Sequence, residues 1–271
     1  MPDANLQRDV VSKRESKDLF SGNLPDNPLM DLEYHVANVQ LENLPIEVAQ
    51  LEATSRIVYY TEPRSASADR FRILRMRLRE LQETKKIKTL LITSPLPHDG
   101  KSTMVLNLAT ALSERGKKAV LVVEGDLHRP TLTQQLGVNN GPGVAECLAK
   151  QVDPMSVIRR VEPLSWYLLP SGASVRNPSE LLHTGSLPGL LEKVAPLFDW
   201  ILLDSPPVLP LTDTLSLAKS ADTSLLVARS GQTPRRAVDE ALTLLGRKNV
   251  CGIVLNGIEH LNTYYAAYGY Y

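Results

Sequence analysis

Lys88-Thr89-Leu90-Leu91-Ile92-Thr93-Ser94-Pro95-Leu96-Pro97-His98-Asp99-Gly100-Lys101-Ser102-Thr103 is the stretch that decides the fold. Thr89 to Thr93 is an apolar run of strand length, and Pro95 to Thr103 is the turn that follows it. From Thr103 to Arg115, Val105, Leu108, Ala109, Ala111 and Leu112 recur at helical spacing. A second apolar strand, Ala119 to Val123, then delivers Glu124-Gly125-Asp126. A helix that starts just after a turn aims free N–H groups and a positive dipole end at an anion. In such a turn Lys101 reaches the outer phosphates of a polyphosphate and Ser102 ligands Mg²⁺. Gly100 lets the backbone approach the phosphate oxygens.

Further along, apolar stretches and helical patterns keep alternating, as a doubly wound, mostly parallel sheet flanked by helices requires. The expected fold is therefore α/β, of the P-loop NTPase class. Thr131 to Leu136, Val144 to Ala149, Leu187 to Leu197 and Arg235 to Arg247 read as helices, with Ser179 as a helix cap before Glu180-Leu181-Leu182. Ser165 to Leu169, Thr223 to Ala228 and Cys251 to Leu255 read as strands. Phe198-Asp199-Trp200-Ile201-Leu202-Leu203-Asp204 is an apolar strand ending in a carboxylate, a Walker B pattern. Ligands of α/β sheets collect at the carboxyl ends of the strands, so Asp204 is expected beside Ser102 and the metal. Asn256 follows the last strand, where it suits an adenine edge or a simple turn equally.

On the amino side, Asp69 to Leu81 carries the apolar stripe Phe71, Leu74, Leu78 and Leu81, with arginines on the other faces. It is an amphipathic helix, either solvated or meeting another subunit. Residues 1–60 read as a polar, largely disordered extension, 61–262 as the nucleotide-binding domain, and 263–271 as a tyrosine-rich tail. Leu44 to Tyr60 reads as a linker or docking element ended by Pro63.

Thirty basic and thirty acidic residues cancel, so no global field favours nucleic acid or an anionic membrane. Cys147 and Cys251 lack metal or CxxC spacing and read as core thiols of a reduced cytoplasm. No apolar run approaches the ~18 residues of a membrane span. The chain ends Thr263-Tyr264-Tyr265-Ala266-Ala267-Tyr268-Gly269-Tyr270-Tyr271, which gathers five of its nine tyrosines. Such a tail is a poor core element and a good phosphoryl acceptor for an ATP site in a neighbouring copy.

Taken together, these motifs resemble the bacterial tyrosine kinases of capsule and exopolysaccharide synthesis, over roughly Pro63 to Tyr271. Thr93 to Thr103 is similar to that family's first Walker element, Val120 to Pro130 to its second, and Leu202 to Pro207 to its Walker B segment. Asp69, Arg72 and Arg75 resemble its acidic-arginine oligomerisation helix, and Asn177 to Leu182 a segment often found in it. The sequence departs from the family pattern at Pro95, at Glu124 and Asp69, which stand in place of aspartate and glutamate respectively, and at His128, which replaces an arginine. Leu96 stands where related partitioning ATPases carry a signature lysine, which argues against that branch.

The resemblance implies transfer of the ATP γ-phosphoryl group, with Mg²⁺, to Tyr264, Tyr265, Tyr268, Tyr270 or Tyr271 of a neighbouring subunit. Asp99, Gly100, Lys101, Ser102, Thr103 and Asn256 would hold the nucleotide. Ser102, Glu124 and Asp204 would hold the metal. Lys101, Asp126, Glu124 and Asp204 would be catalytic, with Asp126 accepting the tyrosine proton. Implied partners are further copies in a ring, a separate membrane protein that sets polysaccharide chain length and activates the kinase, and a protein-tyrosine phosphatase. The implied location is the cytoplasmic face of the inner membrane, through that partner. The rival expectation is an ATP-binding scaffold or ATPase with weak or no kinase activity.

Overall fold

The computed structural model describes residues 40–52 and 55–258. The proposed disordered extension up to residue 39 and the tyrosine tail lie outside the described residues. Strands β1 (Ile46–Val48), β2 (Thr89–Thr93), β3 (Val120–Glu124), β4 (Arg159–Glu162), β5 (Trp166–Leu169), β6 (Trp200–Asp204), β7 (Thr223–Arg229) and β8 (Val250–Asn256) form one sheet. Its order is β1-β4-β5-β3-β6-β2-β7-β8, and all neighbours are parallel except β4 and β5. The helices are α1 (Val58–Thr61), α2 (Ala66–Lys85), α3 (Lys101–Leu112), α4 (Leu132–Leu136), α5 (Val144–Leu148), α6 (Pro154–Val157), α7 (Pro178–His183), α8 (Ser186–Val194), α9 (Asp213–Lys219) and α10 (Arg235–Leu245).

Every residue of β2, β3 and β6 is buried, which explains why they read as continuous rather than alternating apolar runs. One apolar layer joins α3 and the inner side of α2 to one face of the sheet through Leu78, Val105, Leu108, Leu90 and Val122. The other face meets α8 through Leu187, Leu190, Leu191 and Val194. The register places Glu124 of β3 directly opposite Asp204 of β6, and Ile92 of β2 on the other side of Asp204. Three loops therefore leave the same sheet end side by side.

Helix α2 begins at Ser65, whose hydroxyl oxygen accepts the Ala68 N–H, and ends at left-handed Lys86. It runs beyond the expected stripe at both ends. Asn177 precedes α7, whose first residue is Pro178, so Ser179 is not its cap; the Ser179 hydroxyl instead donates to Asp213.

The domain starts earlier than residue 61. Strand β1 pairs with β4, Leu41, Leu44 and Ile57 are buried, and Asn107 of α3 grips the segment before α2. The Asn107 amide donates to the Arg56 and Thr103 carbonyls and accepts the Tyr59 N–H, at 2.8, 2.9 and 3.0 Å. The described residues between Leu44 and Tyr60 are thus part of the fold, tied down by partners distant in sequence, such as Asn107 and β4, rather than by their own pattern.

Candidate active site

The turn between β2 and α3 is closed from within and from below. Ser94 Oγ donates to the Leu96 carbonyl, and the buried Asp99 carboxylate accepts the Leu96 N–H and the Thr233 hydroxyl, at 3.1 and 2.6 Å. The left-handed residues are His98 and Gly100, so Pro95 enters the loop without the glycine usual at that place. Asn256 lies directly under the loop: its amide donates to the Asp99 carbonyl at 3.0 Å. A Cβ on Gly100 would come within 2.0 Å of that amide nitrogen. Asp99 and Asn256, expected at the nucleotide, here shape the loop that faces it. Gly100 is the N-cap of α3, with φ 93°, a conformation that glycine adopts without strain.

Lys101 Nζ lies 3.1 Å from Asp126 Oδ2 and 3.4 Å from Ser102 Oγ. Burial by itself would lower the Lys101 pKa, but Asp204, Asp126 and Glu124 outweigh it and hold the ammonium above its ordinary value. Asp126 Oδ1 also accepts the Arg129 N–H at 3.0 Å. Thr131, whose role the sequence did not disclose, donates its hydroxyl to Ser102 Oγ at 3.0 Å.

Asp204 is fully buried, and both its oxygens lack any hydrogen-bond partner among the described residues. Burial pushes its pKa up to about 7, against the pull of Lys101 and with the repulsion of Asp126 and Glu124. An orphaned buried carboxylate at the end of β6, within electrostatic reach of Lys101, fits a hard cation that takes oxygen ligands and keeps several waters, as Mg²⁺ does. The donor set suits that group.

Glu124 differs from its expected place at the metal. Its Oε1 accepts the Leu132 N–H at 2.6 Å and its Oε2 the Ser171 N–H at 3.1 Å. Burial raises the pKa of this carboxyl, and these backbone donors counter the shift. The extra methylene compared with aspartate carries the carboxylate to the start of α4 and to the loop after β5. Gly125, next in the chain, donates its N–H to the Asp204 carbonyl at 3.1 Å, and a Cβ there would meet that oxygen at 2.5 Å. The two acidic turns are therefore backbone neighbours.

Gly100, Lys101, Ser102, Asp126 and Thr131 line a cleft of about 570 Å³ that also takes in Arg56, His128, Arg129 and Arg229. Arg56 comes from the segment read as a linker and owes its place to Asn107. Asp69, Arg72 and Arg75 lie away from the cleft on α2. Arg72 bonds Asp69 at 2.5 Å and sits 5.4 Å over the Tyr59 ring, while Arg75 donates to the Tyr59 hydroxyl and the Ala111 carbonyl, at 3.3 and 3.1 Å. The exposed large apolar side chains of that helix are Ile73 and Met76, 43% and 54% exposed.

A strand, phosphate-binding turn and helix beside a buried acid at the end of a neighbouring strand define a P-loop nucleotide-binding protein. Residues 99–243 match the family model described as AAA domain. The chain is 30% identical over 217 residues to tyrosine-protein kinase YwqD of Bacillus subtilis, covering 79% of this chain and 90% of that protein. It is 30% identical over 208 residues to the succinoglycan biosynthesis transport protein ExoP of Rhizobium meliloti, covering 74% of this chain and 26% of that protein. Of three further tyrosine-kinase relatives it spans between 24% and 33%. The kinase domain of Escherichia coli tyrosine kinase ETK superposes with a TM-score of 0.72 at 28% identity, over 76% of this chain and 82% of that one. The chain belongs to the bacterial tyrosine kinase family of P-loop proteins. Among the described residues no helix is long and apolar enough to cross a membrane.

Proposed function

We propose that this chain is an ATP-dependent protein-tyrosine kinase that phosphorylates the Tyr264, Tyr265, Tyr268, Tyr270 and Tyr271 cluster of a neighbouring copy and thereby regulates exopolysaccharide or capsule chain length. The observation that carries the reading is the Lys101, Asp126 and Asp204 constellation at the mouth of the phosphate turn, in a chain whose last residues are tyrosines. Phosphoryl transfer asks the protein mainly to position reactants and neutralise charge. Gly100 and the free N–H groups at the start of α3 cradle the phosphates, and Thr103 contacts an inner one. Lys101 moves from Asp126 to the outer phosphate oxygens. Ser102 and Asp204 would hold Mg²⁺, which would supply charge neutralisation to the transferring phosphoryl group.

Two of the implied residues also have structural partners. Glu124 anchors the start of α4 and the loop after β5 through backbone donors to its two oxygens. Before nucleotide binds, Asp126 holds Lys101 on one oxygen and the Arg129 N–H on the other, and the move of Lys101 to the phosphates would free the first. The membrane activator, the opposing phosphatase and a peripheral place at the cytoplasmic membrane face belong to the same proposal, supported by the family likeness.

Mass spectrometry of the C-terminal peptide after incubation with Mg-ATP tests the reading. Phosphate on those tyrosines is expected in the wild type and none in Lys101→Met, with the fold retained. Equal labelling of the two sinks the assignment. The second reading, an ATP-dependent scaffold, is favoured by the diversion of Glu124 into a structural role. An unmodified tail, with nucleotide binding intact and an activator peptide present, would establish it.

A further inference from the structure

His128, Asp213 and Ser179 form a cluster at the rim of the cleft that the phosphate-binding machinery does not use. His128 Nε2 lies 2.7 Å from Asp213 Oδ2, and Ser179 Oγ donates to that same oxygen at 3.0 Å. Asp213 is 1% exposed, and its other oxygen, Oδ1, has no partner among the described residues. The carboxylate sits at the first residue of α9, and that helix is tied to the loop after Asp204 by the Thr214 hydroxyl, which donates to the Pro206 carbonyl at 2.7 Å. The imidazole itself lines the cleft with Lys101, Ser102 and Asp126.

Resting on the kinase reading above, we propose that His128, oriented by Asp213, is the catalytic residue that accepts the proton of the attacking tyrosine. A carboxylate only accepts hydrogen bonds, so Nε2 carries the hydrogen and Nδ1 keeps the lone pair. Nδ1 makes no hydrogen bond to a described residue. Asp126 is differently placed, with Lys101 on one oxygen and the Arg129 N–H on the other. A buried carboxylate that answers to one imidazole and one hydroxyl also favours the imidazolium once it forms, the division of labour known from hydrolase triads. Asp213 is the charged group in contact with the ring, and the charged groups that line the same cleft are Arg56, Lys101, Asp126, Arg129 and Arg229.

In the step, the phenolic O–H bond breaks and its proton passes to Nδ1. The phenolic oxygen bonds to the γ-phosphorus of ATP as the bond from that phosphorus to the β,γ-bridging oxygen breaks, leaving ADP. The imidazolium then returns its proton to solvent.

The test uses the full chain. In nucleotide-free protein labelled with ¹⁵N-histidine, the His128 resonances, assigned by their loss in His128→Gln, are expected to report the Nε2–H tautomer. Asp213→Asn is expected to shift them to the Nδ1–H tautomer, because the amide can donate to Nε2. Both variants should lower the rate of tail phosphorylation by about 10²-fold or more, the scale of general-base catalysis, with ATP affinity within a few-fold of wild type. His128→Arg, a cation without a basic lone pair, should not restore the rate. An Nδ1–H tautomer in the wild type overturns the proposal, as does near wild-type phosphorylation by His128→Gln or His128→Arg. A wild type that phosphorylates no tyrosine overturns the kinase reading and this inference together, whereas an active wild type with unaffected variants overturns this inference alone.

Discussion

Asp204 shows most directly how a single residue trades stability for a site. A fully buried carboxyl near two other acids keeps its proton more tightly than in the unfolded chain, so its pKa rises from the ordinary 3.8 to about 7. Its contribution to stability is therefore complete below about pH 4, falls as pH rises through the interval, and is gone above about 7. Asp204→Asn, which resembles the protonated form, is expected to be more stable than wild type in nucleotide-free solution at pH 8. The advantage should grow by at most about 1.4 kcal/mol per pH unit between pH 4 and 7 and level off above. Urea unfolding of both proteins across that range measures it, and a variant less stable than wild type at pH 8 would show that the buried charge is compensated. The same residue was legible in the sequence as an acid after an apolar strand, because that pattern is local. Its lack of a partner was not, since this depends on what the neighbouring loops do with their own donors.

At the level of elements, the central strands and α3 could be read because each satisfies its own pattern. Continuous apolar runs make buried parallel strands, and a glycine before Lys101 marks a helix start. The elements that escaped have no such self-sufficient signal. Strand β1 is three residues long and pairs in the sheet with β4, whose Arg-Arg-Val-Glu sequence gives little strand signal by itself. The segment from Arg56 to Tyr59 is placed by Asn107, a polar residue that is 1% exposed in the middle of an otherwise apolar helix. Asn107→Ala removes a donor from the Arg56 and Thr103 carbonyls and leaves the Tyr59 N–H without its acceptor. With a buried hydrogen bond contributing roughly 1 kcal/mol, and more where a partner is left unsatisfied, a loss of about 2–3 kcal/mol is expected. Trypsin should also cut faster at Arg56 and Arg64, since the segment loses its hold on α3. Unchanged urea stability and unchanged cleavage would mean that β1 and α2 suffice to fix the segment.

For the whole molecule, the placement of α2 bears on assembly. The family resemblance implied that Arg72 and Arg75 meet another subunit, whereas spacing fitted a solvated helix as well. In the folded chain both guanidinium groups are committed within the subunit, to Asp69, Tyr59 and Ala111, while Ile73 and Met76 stand outward between charged neighbours. An interface on this helix would thus draw its apolar contact from Ile73 and Met76, with the arginines holding the helix and α1 in shape. Ile73→Glu combined with Met76→Glu should convert any oligomer to monomer in light scattering. Surface changes of this kind usually alter stability by no more than about 0.5 kcal/mol, so the melting temperature should barely move. Arg75→Ala, by contrast, should lower the melting temperature as well as weaken assembly. Survival of the oligomer in the double variant would move the interface elsewhere.

Gly125 joins these scales. Its missing side chain lets the turn that ends in Asp126 lie against the carbonyl of Asp204, with its own N–H closing the contact. The orphaned acid at the end of β6 and the acid that bonds the lysine therefore ride on one stiff beam. A displacement of one is transmitted to the other through main chain alone, so that loading the nucleotide and readying the site for its acceptor become a single mechanical event.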